Sequence, residues 1–77
     1  TIFLEGTYTY DNVSGNVVVT RVNHGLLTDS LVYLEFSNDE LSNGEYTITY
    51  TESNSLIVLA NTIYDNSSGD ILIGFVT

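Results

Sequence analysis

A single histidine is the residue best suited to acid–base or metal chemistry in this 77-residue sequence. His24 stands between Asn23 and Gly25, and the sequence contains no cysteine to join it. One imidazole without a thiolate makes a poor transition-metal site, and a Ser-His-Asp set could form only around this ring. We therefore interpret His24 as a turn residue whose ring bonds a nearby backbone carbonyl. The sequence predicts no enzyme, no catalytic residue and no cofactor.

Two acidic, glycine-containing loops carry oxygen ligands of the kind that calcium prefers. The candidate ligands are Asp11 and Asn16 in residues 11–16, and Asp65, Ser67 and Asp70 in residues 65–70. Their spacing matches no established calcium loop, and the same residue types build ordinary turns. The turn is therefore the favoured interpretation, and calcium is the alternative.

Each of these loops also contains an N-glycosylation sequon, one at Asn12 and one at Asn66. Sequons arise easily by chance in a sequence rich in asparagine and serine. Their position indicates that both loops are exposed, and modification would depend on whether the source glycosylates its secreted proteins.

The two loops lie within similar segments, residues 10–19 and residues 64–73, at an offset of 54 positions. Similarity that runs from a tyrosine through a loop into an aliphatic strand favours duplication, because a fixed offset is typical of repeat arrays. The alternative is that tight loops reuse the same residue types. We assign a single β domain to residues 1–77, with the repeat at 17–70 and flanking strands at 1–16 and 71–77.

Six tyrosines could supply a stacking surface for a glycan, and Tyr8, Tyr10, Tyr46 and Tyr50 alternate with threonine. Such alternation places the rings on one face of each strand. Packing in a core or an interface is the favoured interpretation, because the opposite face of each strand is already polar. A surface glycan remains the alternative ligand.

The charge balance excludes several partner classes. Ten acidic residues stand against one cation, Arg21, for a net charge of −9. Sequence-independent binding to nucleic acid or to an anionic membrane needs several cations, so we predict neither partner. Arg21 is interpreted as a partner for a carboxylate across a subunit boundary or for a cross-strand acid such as Glu35. Because so short a chain buries a small core and has no disulfide, we expect association into a homo-oligomer.

The apolar pattern predicts strands throughout. Residues 45–51 alternate without a break between apolar and polar side chains, which is the period of a half-buried strand. Four nearly continuous apolar runs indicate strands that are buried on both faces or central in a sheet. These runs are residues 17–22, 31–36, 56–60 and 71–76, and shorter strands are predicted at 2–4 and 7–10. The fold class is all-β, as one small antiparallel β-barrel or β-sandwich of five to six strands.

Several short motifs together resemble a β-rich module of phage tail, baseplate and fibre proteins, of the marine phage type. The motifs are a Val-Thr strand at 18–20, the His24-Gly25-Leu26 turn, the strand at 32–36, the Gly-x-Tyr strand at 44–48 and a closing strand at 68–71. The module carries Gly-Asp shortly after its His-Gly-Leu turn, whereas this sequence has Asp29 and Ser30 there. The resemblance implies a structural or adhesive virion module.

The function expected from this resemblance is a phage tail, fibre or surface component, located in the virion, that acts by subunit packing and strand-edge pairing. The alternatives are a cell-derived extracellular filament or adhesin subunit assembled by strand addition, and a small carbohydrate-binding module. The chain ends are expected to make the contacts between copies. The predicted interface residues are Ile2, Phe3, Leu4, Tyr8, Tyr10, Arg21, Ile71, Ile73 and Phe75.

Overall fold

Six antiparallel strands form the protein in a computed structural model that describes residues 3–37, 41–60 and 65–76. The strands are β1 (Phe3–Asp11), β2 (Asn16–Thr20), β3 (Leu31–Phe36), β4 (Gly44–Glu52), β5 (Ser55–Leu59) and β6 (Ser67–Phe75). They close into a barrel in the order β1-β2-β5-β4-β3-β6, and the last of these pairs with β1. The predicted all-β fold is confirmed, and it is a barrel.

The first strand joins two segments that were predicted separately. Residues 2–4 and 7–10 were expected as two strands, whereas Phe3–Asp11 is continuous through Gly6. A side chain at Gly6 would place its Cβ 2.5 Å from the carbonyl oxygen of Thr20. Glycine therefore allows β1 to pass close to the end of β2 without a break.

The last strand begins earlier than the turn-forming residues of the second loop predict. Ser67 to Asp70 belong to β6 and pair with β1, from Tyr10↔Ser67 to Thr7↔Asp70. Serine, glycine and aspartate are weak strand formers, so their local preference is overridden here by pairing across the barrel.

The core consists of the inward-facing residues of all six strands and one loop leucine. Tyr8, Val19, Leu56 and other side chains are almost entirely buried, and the ring of Phe36 packs edge-on against Tyr8 with centroids 4.8 Å apart. The full set is Tyr8, Tyr10, Val17, Val19, Val32, Leu34, Phe36, Leu41, Tyr46, Ile48, Leu56, Val58, Ile71 and Ile73. This single core occupies the inside of the barrel.

Strands expected to be buried on both faces or central in a sheet each have two strand neighbours, and they are buried on one face only. Val17 and Val19 of β2 point inward, but Val18 between them is 38% exposed, and Leu59 of β5 is 52% exposed. A barrel has one sheet around one core. Val18 and Leu59 lie on the outside of that sheet and are not part of the core of the described residues. The outer apolar residues therefore meet solvent in the isolated chain.

A β-bulge changes the direction of one tyrosine. The register of β4 against β5 shifts between Ile48 and Tyr50, so that Thr49 is the extra residue. Tyr46 and Ile48 face inward, whereas Tyr50 is 52% exposed. Because a bulge breaks the two-residue period, Tyr50 does not share a face with Tyr46 as the alternation predicts.

The two similar loops meet at one end of the barrel. The backbone N–H of Asn12 donates to Oδ1 of Asn66 at 2.7 Å. The strands that follow the loops are not equivalent in the barrel, because β2 lies between β1 and β5, whereas β6 lies between β1 and β3. The repeat therefore remains a prediction from sequence.

Candidate functional site

His24 is bound to the backbone on both sides of its ring. Nε2 lies 2.6 Å from the carbonyl oxygen of Glu52 and 2.9 Å from that of Ser55, and Nδ1 accepts from the N–H of Leu26 at 2.9 Å. Because Nδ1 accepts and both neighbours of Nε2 are carbonyls, the ring carries its proton on Nε2. His24 is buried, and its hydrogen-bonding atoms are occupied by the chain itself.

These bonds attach the β2–β3 connection to the β4–β5 turn. Asn54 strengthens the attachment, since its carbonyl accepts from the N–H of Arg21 and its Oδ1 accepts from the N–H of Asn23. Asn23 itself has a φ of 54°, a left-handed conformation that asparagine tolerates. The histidine therefore acts as a structural bridge between two connections at one end of the barrel.

The first candidate calcium loop uses its carboxylate as a turn former. Oδ1 of Asp11 accepts from the N–H of Val13, and Oδ2 accepts from the hydroxyl of Ser14. The Ser14 hydroxyl in turn accepts from the N–H of Asn16, and the N–H of Gly15 donates to the Asp11 carbonyl. This is the bonding expected of an Asx turn.

The second set of candidate ligands is not brought together. Ser67 and Asp70 both lie in β6, where positions three apart face opposite sides and are separated by about 10 Å. Ser67 is paired with buried Tyr10, Asp70 is exposed, and Asp65 precedes the strand on the surface. Within the described ranges, no three acidic or histidine side chains are grouped so that they could hold a metal ion.

Most of the alternating tyrosines belong to the core. Tyr8, Tyr10 and Tyr46 are buried, and the hydroxyl of Tyr46 donates to the carbonyl of Ser42 at 2.5 Å. Tyr50 is exposed, and its hydroxyl donates to Oε1 of Glu52 at 3.2 Å. The favoured interpretation of core packing is confirmed for the three buried rings.

The residues predicted to contact other copies fall into two groups. The side chains of Tyr8, Tyr10, Ile71 and Ile73 are at most 2% exposed inside the barrel. A neighbouring copy cannot reach them while the barrel is closed, so the structure assigns these four to the core. The reason is the shared register, in which every second residue of β1 and β6 faces inward.

The described members of the second group lie at the end of the barrel where β1 begins. Leu4 packs partly against the core, and Phe75 is 50% exposed. The ring of Phe3 lies on the outside, 6.0 Å from that of Tyr33, and covers Gly74, where a Cβ would approach the Phe3 ring to 2.9 Å. Ile2 lies outside the described residues.

Arg21 covers the start of β1. Residues Phe3 to Gly6 pair with β6 but extend beyond β2, whose pairing with β1 begins at Thr7. The Arg21 guanidinium donates from Nη1 to the carbonyl of Glu5 at 3.0 Å, and its Nε is buried without a partner. The Arg21 guanidinium bonds the carbonyl of Glu5 and not Glu35, the cross-strand acid that was one of its two predicted partners. Every described strand has two neighbours in the barrel, so the stretches left for strand-edge pairing are overhangs such as this one and residues 67–69 of β6, which extend beyond β3.

An exposed set of apolar side chains on the β2-β5-β4 wall was not singled out from the sequence. Register places Val18, Ile57 and Tyr50 side by side on the outside, with Leu59 next along β5. Val18 is 38% exposed, and Tyr50 and Leu59 are each 52% exposed. We call these four residues the apolar outer face. The sequence does contain a signal for this outer set, because β2 and β5 have apolar residues at consecutive positions and adjacent residues of a strand face opposite sides.

The opposite wall, formed by β1, β6 and β3, is acidic. Glu5 and Glu35 flank Leu72 in register, and Asp70 is the next outward residue of β6. These side chains border a shallow groove of about 620 Å³. Three of the carboxylates of the described strands therefore lie on the side away from the apolar outer face, whereas Glu45 and Glu52 lie near the two ends of β4.

Comparisons with known proteins assign no function to this chain. No helix in the described residues is long and apolar enough to cross a membrane. No protein-family model matches the sequence, and neither a curated protein nor a solved structure matches the chain.

Proposed function

We propose that this chain is a structural module of a phage particle, in its tail, fibre or surface, that acts by packing against neighbouring subunits. The observation that carries the proposal is the apolar outer face. Strands β2 and β5 are apolar at consecutive positions, yet Val18 and Leu59 are left exposed in the isolated barrel. Strands with two apolar faces are typical of sheets that are covered on both sides.

The proposed role is mechanical, and the chain is not an enzyme. The one histidine is fully engaged with backbone groups, and Asp11 is engaged by its own loop. The outward carboxylates of β1, β3 and β6 would keep an assembly soluble. Packing of one wall on another is the favoured contact, because each described strand has a neighbour on both sides and leaves short overhangs at strand ends for edge pairing.

The resemblance to phage tail and fibre modules supports the virion as location. This chain has Asp29 where the module carries glycine, and that difference is compatible with the fold. Asp29 has a φ of 70°. That is a conformation that glycine adopts without strain, so the same turn would suit either residue.

Immunoelectron microscopy tests this function directly. Antibodies raised against the purified chain are applied to particles and cells from a culture of the source. Labelling of phage tails or fibres is the expected result. Labelling of cell-surface filaments would replace the proposal with the filament subunit, and binding on a glycan array without labelled particles would replace it with the carbohydrate-binding module.

A further inference from the structure

The packing proposed above requires a contact surface, and the apolar outer face has the properties of one. Val18, Ile57 and Tyr50 form a continuous row across three strands, and Leu59 extends it. Contiguous exposed apolar patches on small proteins mark interaction sites more often than scattered single residues do. The row continues on β1 with Thr9, which carries no charge.

We propose that this face docks onto the same face of a second copy, in a two-fold arrangement. This inference rests on the proposed function and identifies the surface through which it operates. A two-fold contact is self-complementary, so each residue of the face meets residues of the same face. An apolar row can do so without bringing like charges together.

The distribution of charge identifies a second copy as the occupant. With a net charge of −9, two copies repel each other unless they approach through a neutral surface. Thr9, Val18, Ile57 and Tyr50 provide a row with no carboxylate. The wall that carries Glu5, Glu35 and Asp70 is then turned away from the contact. A cationic partner would instead select the acidic wall.

Three carboxylates lie at the borders of the face, and one of them is Glu45, which faces outward near the start of β4. Glu52 is in register with Ser55 at one end and accepts a hydrogen bond from the Tyr50 hydroxyl. Asp11 is in register with Asn16 at the other end, and its oxygens are occupied within its own loop. Charged residues at the rim with an uncharged centre match the general anatomy of protein interfaces.

The wall is large enough for a specific contact. A standard interface buries about 800 Å² on each partner. That is about a sixth of the 4662 Å² of accessible surface of the described chain. Strands β2, β5 and β4 form half of the barrel, so their outer side can supply this area.

Sedimentation velocity over a range of concentrations tests the inference with matched lysine substitutions. Val18→Lys lowers the net negative charge and so weakens the general repulsion between copies, which by itself would strengthen association. A lysine buried on the docked face would instead weaken association. We expect the dimer dissociation constant to rise by about tenfold or more for Val18→Lys and for Leu59→Lys. The control is Val13→Lys, which makes the same charge change at an exposed valine in the β1–β2 turn, outside the strands of the face.

The control should leave the dissociation constant unchanged or slightly lower. Thermal unfolding of each variant checks that the barrel is intact, and either of the two face variants is sufficient if the other fails to fold. Equal effects of Val18→Lys, Leu59→Lys and Val13→Lys in an associating protein would overturn the docking face and leave the proposed function standing. A wild-type chain that stays monomeric at every concentration would overturn self-docking and leave the face to a different partner.

Discussion

Replacing His24 by alanine should strongly destabilise the barrel, and the structure allows the size of the effect to be worked out. The ring donates from Nε2–H to two carbonyls and accepts one backbone N–H, all in a buried position. An unsatisfied buried polar group costs about 1–3 kcal/mol. The carbonyls of Glu52 and Ser55 share the single proton on Nε2, so the alanine variant removes one shared donor from them and not two. We therefore expect His24→Ala to lower the free energy of unfolding by about 2–4 kcal/mol.

That loss is large for a chain of this size. A 77-residue domain has a total stability of roughly 4–12 kcal/mol, and 1 kcal/mol corresponds to a shift of about 4–8 °C in Tm. Urea titration followed by circular dichroism measures the free energy of unfolding, and a thermal scan measures Tm. The expected decrease in Tm is about 10–25 °C.

Two amide variants separate the two sides of the ring. The amide nitrogen of His24→Gln reaches the position of Nε2 and can donate to the carbonyls of Glu52 and Ser55. The amide oxygen of His24→Asn reaches the position of Nδ1 and can accept from the N–H of Leu26. Each should recover part of the loss in His24→Ala. A loss below about 1 kcal/mol in the alanine variant, or equal losses in all three variants, would refute the bridging role.

Four further predictions concern backbone conformation and charge. Gly6→Ala should lower the free energy of unfolding by about 2–3 kcal/mol in urea titrations, because its Cβ would meet the backbone oxygen of Thr20 at 2.5 Å. Gly74→Ala should lose only about 1 kcal/mol in the same assay, because the atom in its way belongs to the ring of Phe3, which can swing outward; a larger loss than in Gly6→Ala would contradict this ranking. Asp29→Gly should raise Tm or leave it unchanged, since Asp29 has a φ of 70°, and a clear drop would show that its side chain contributes. Raising the salt concentration should strengthen association measured by sedimentation, because salt screens the repulsion between copies; weakening would point to ion pairs at the interface instead.

Sequence patterns predicted the strands well, because the two-residue period and the turn residues are local signals. The bulge at Thr49 was not predictable in this way, since it depends on how β4 is shared between β3 and β5. The apolar pattern alone placed the last strand at 71–76 and treated residues 67–70 as a turn for a related reason, whereas the family resemblance placed a closing strand at 68–71. Those residues pair with β1, which is more than fifty positions away in the sequence.

The candidate site was predicted in part. The bonding of His24 to backbone carbonyls follows from its place in a turn, and the structure confirms it. The predicted contacts between copies stay a prediction, but four of the residues chosen for them are buried in the barrel, because a closed sheet turns one face of every strand inward. Ile71 and Ile73 face the barrel interior, whereas Val18 and Leu59, which the sequence did not distinguish from them, are exposed. Only the closure of the sheet decides which apolar residues remain outside.

The position of β6 has a consequence for synthesis of the protein. The ribosome makes this strand after the other five, yet it lies between β1 and β3 and pairs with both. A nascent chain that lacks it leaves those two earlier strands with unpaired backbone groups and cannot enclose its tyrosine core. Because the joining segments are far apart along the chain, this last step is slow compared with local hairpin formation. Translation products that stop before Ser67 should therefore be captured by chaperones or aggregate.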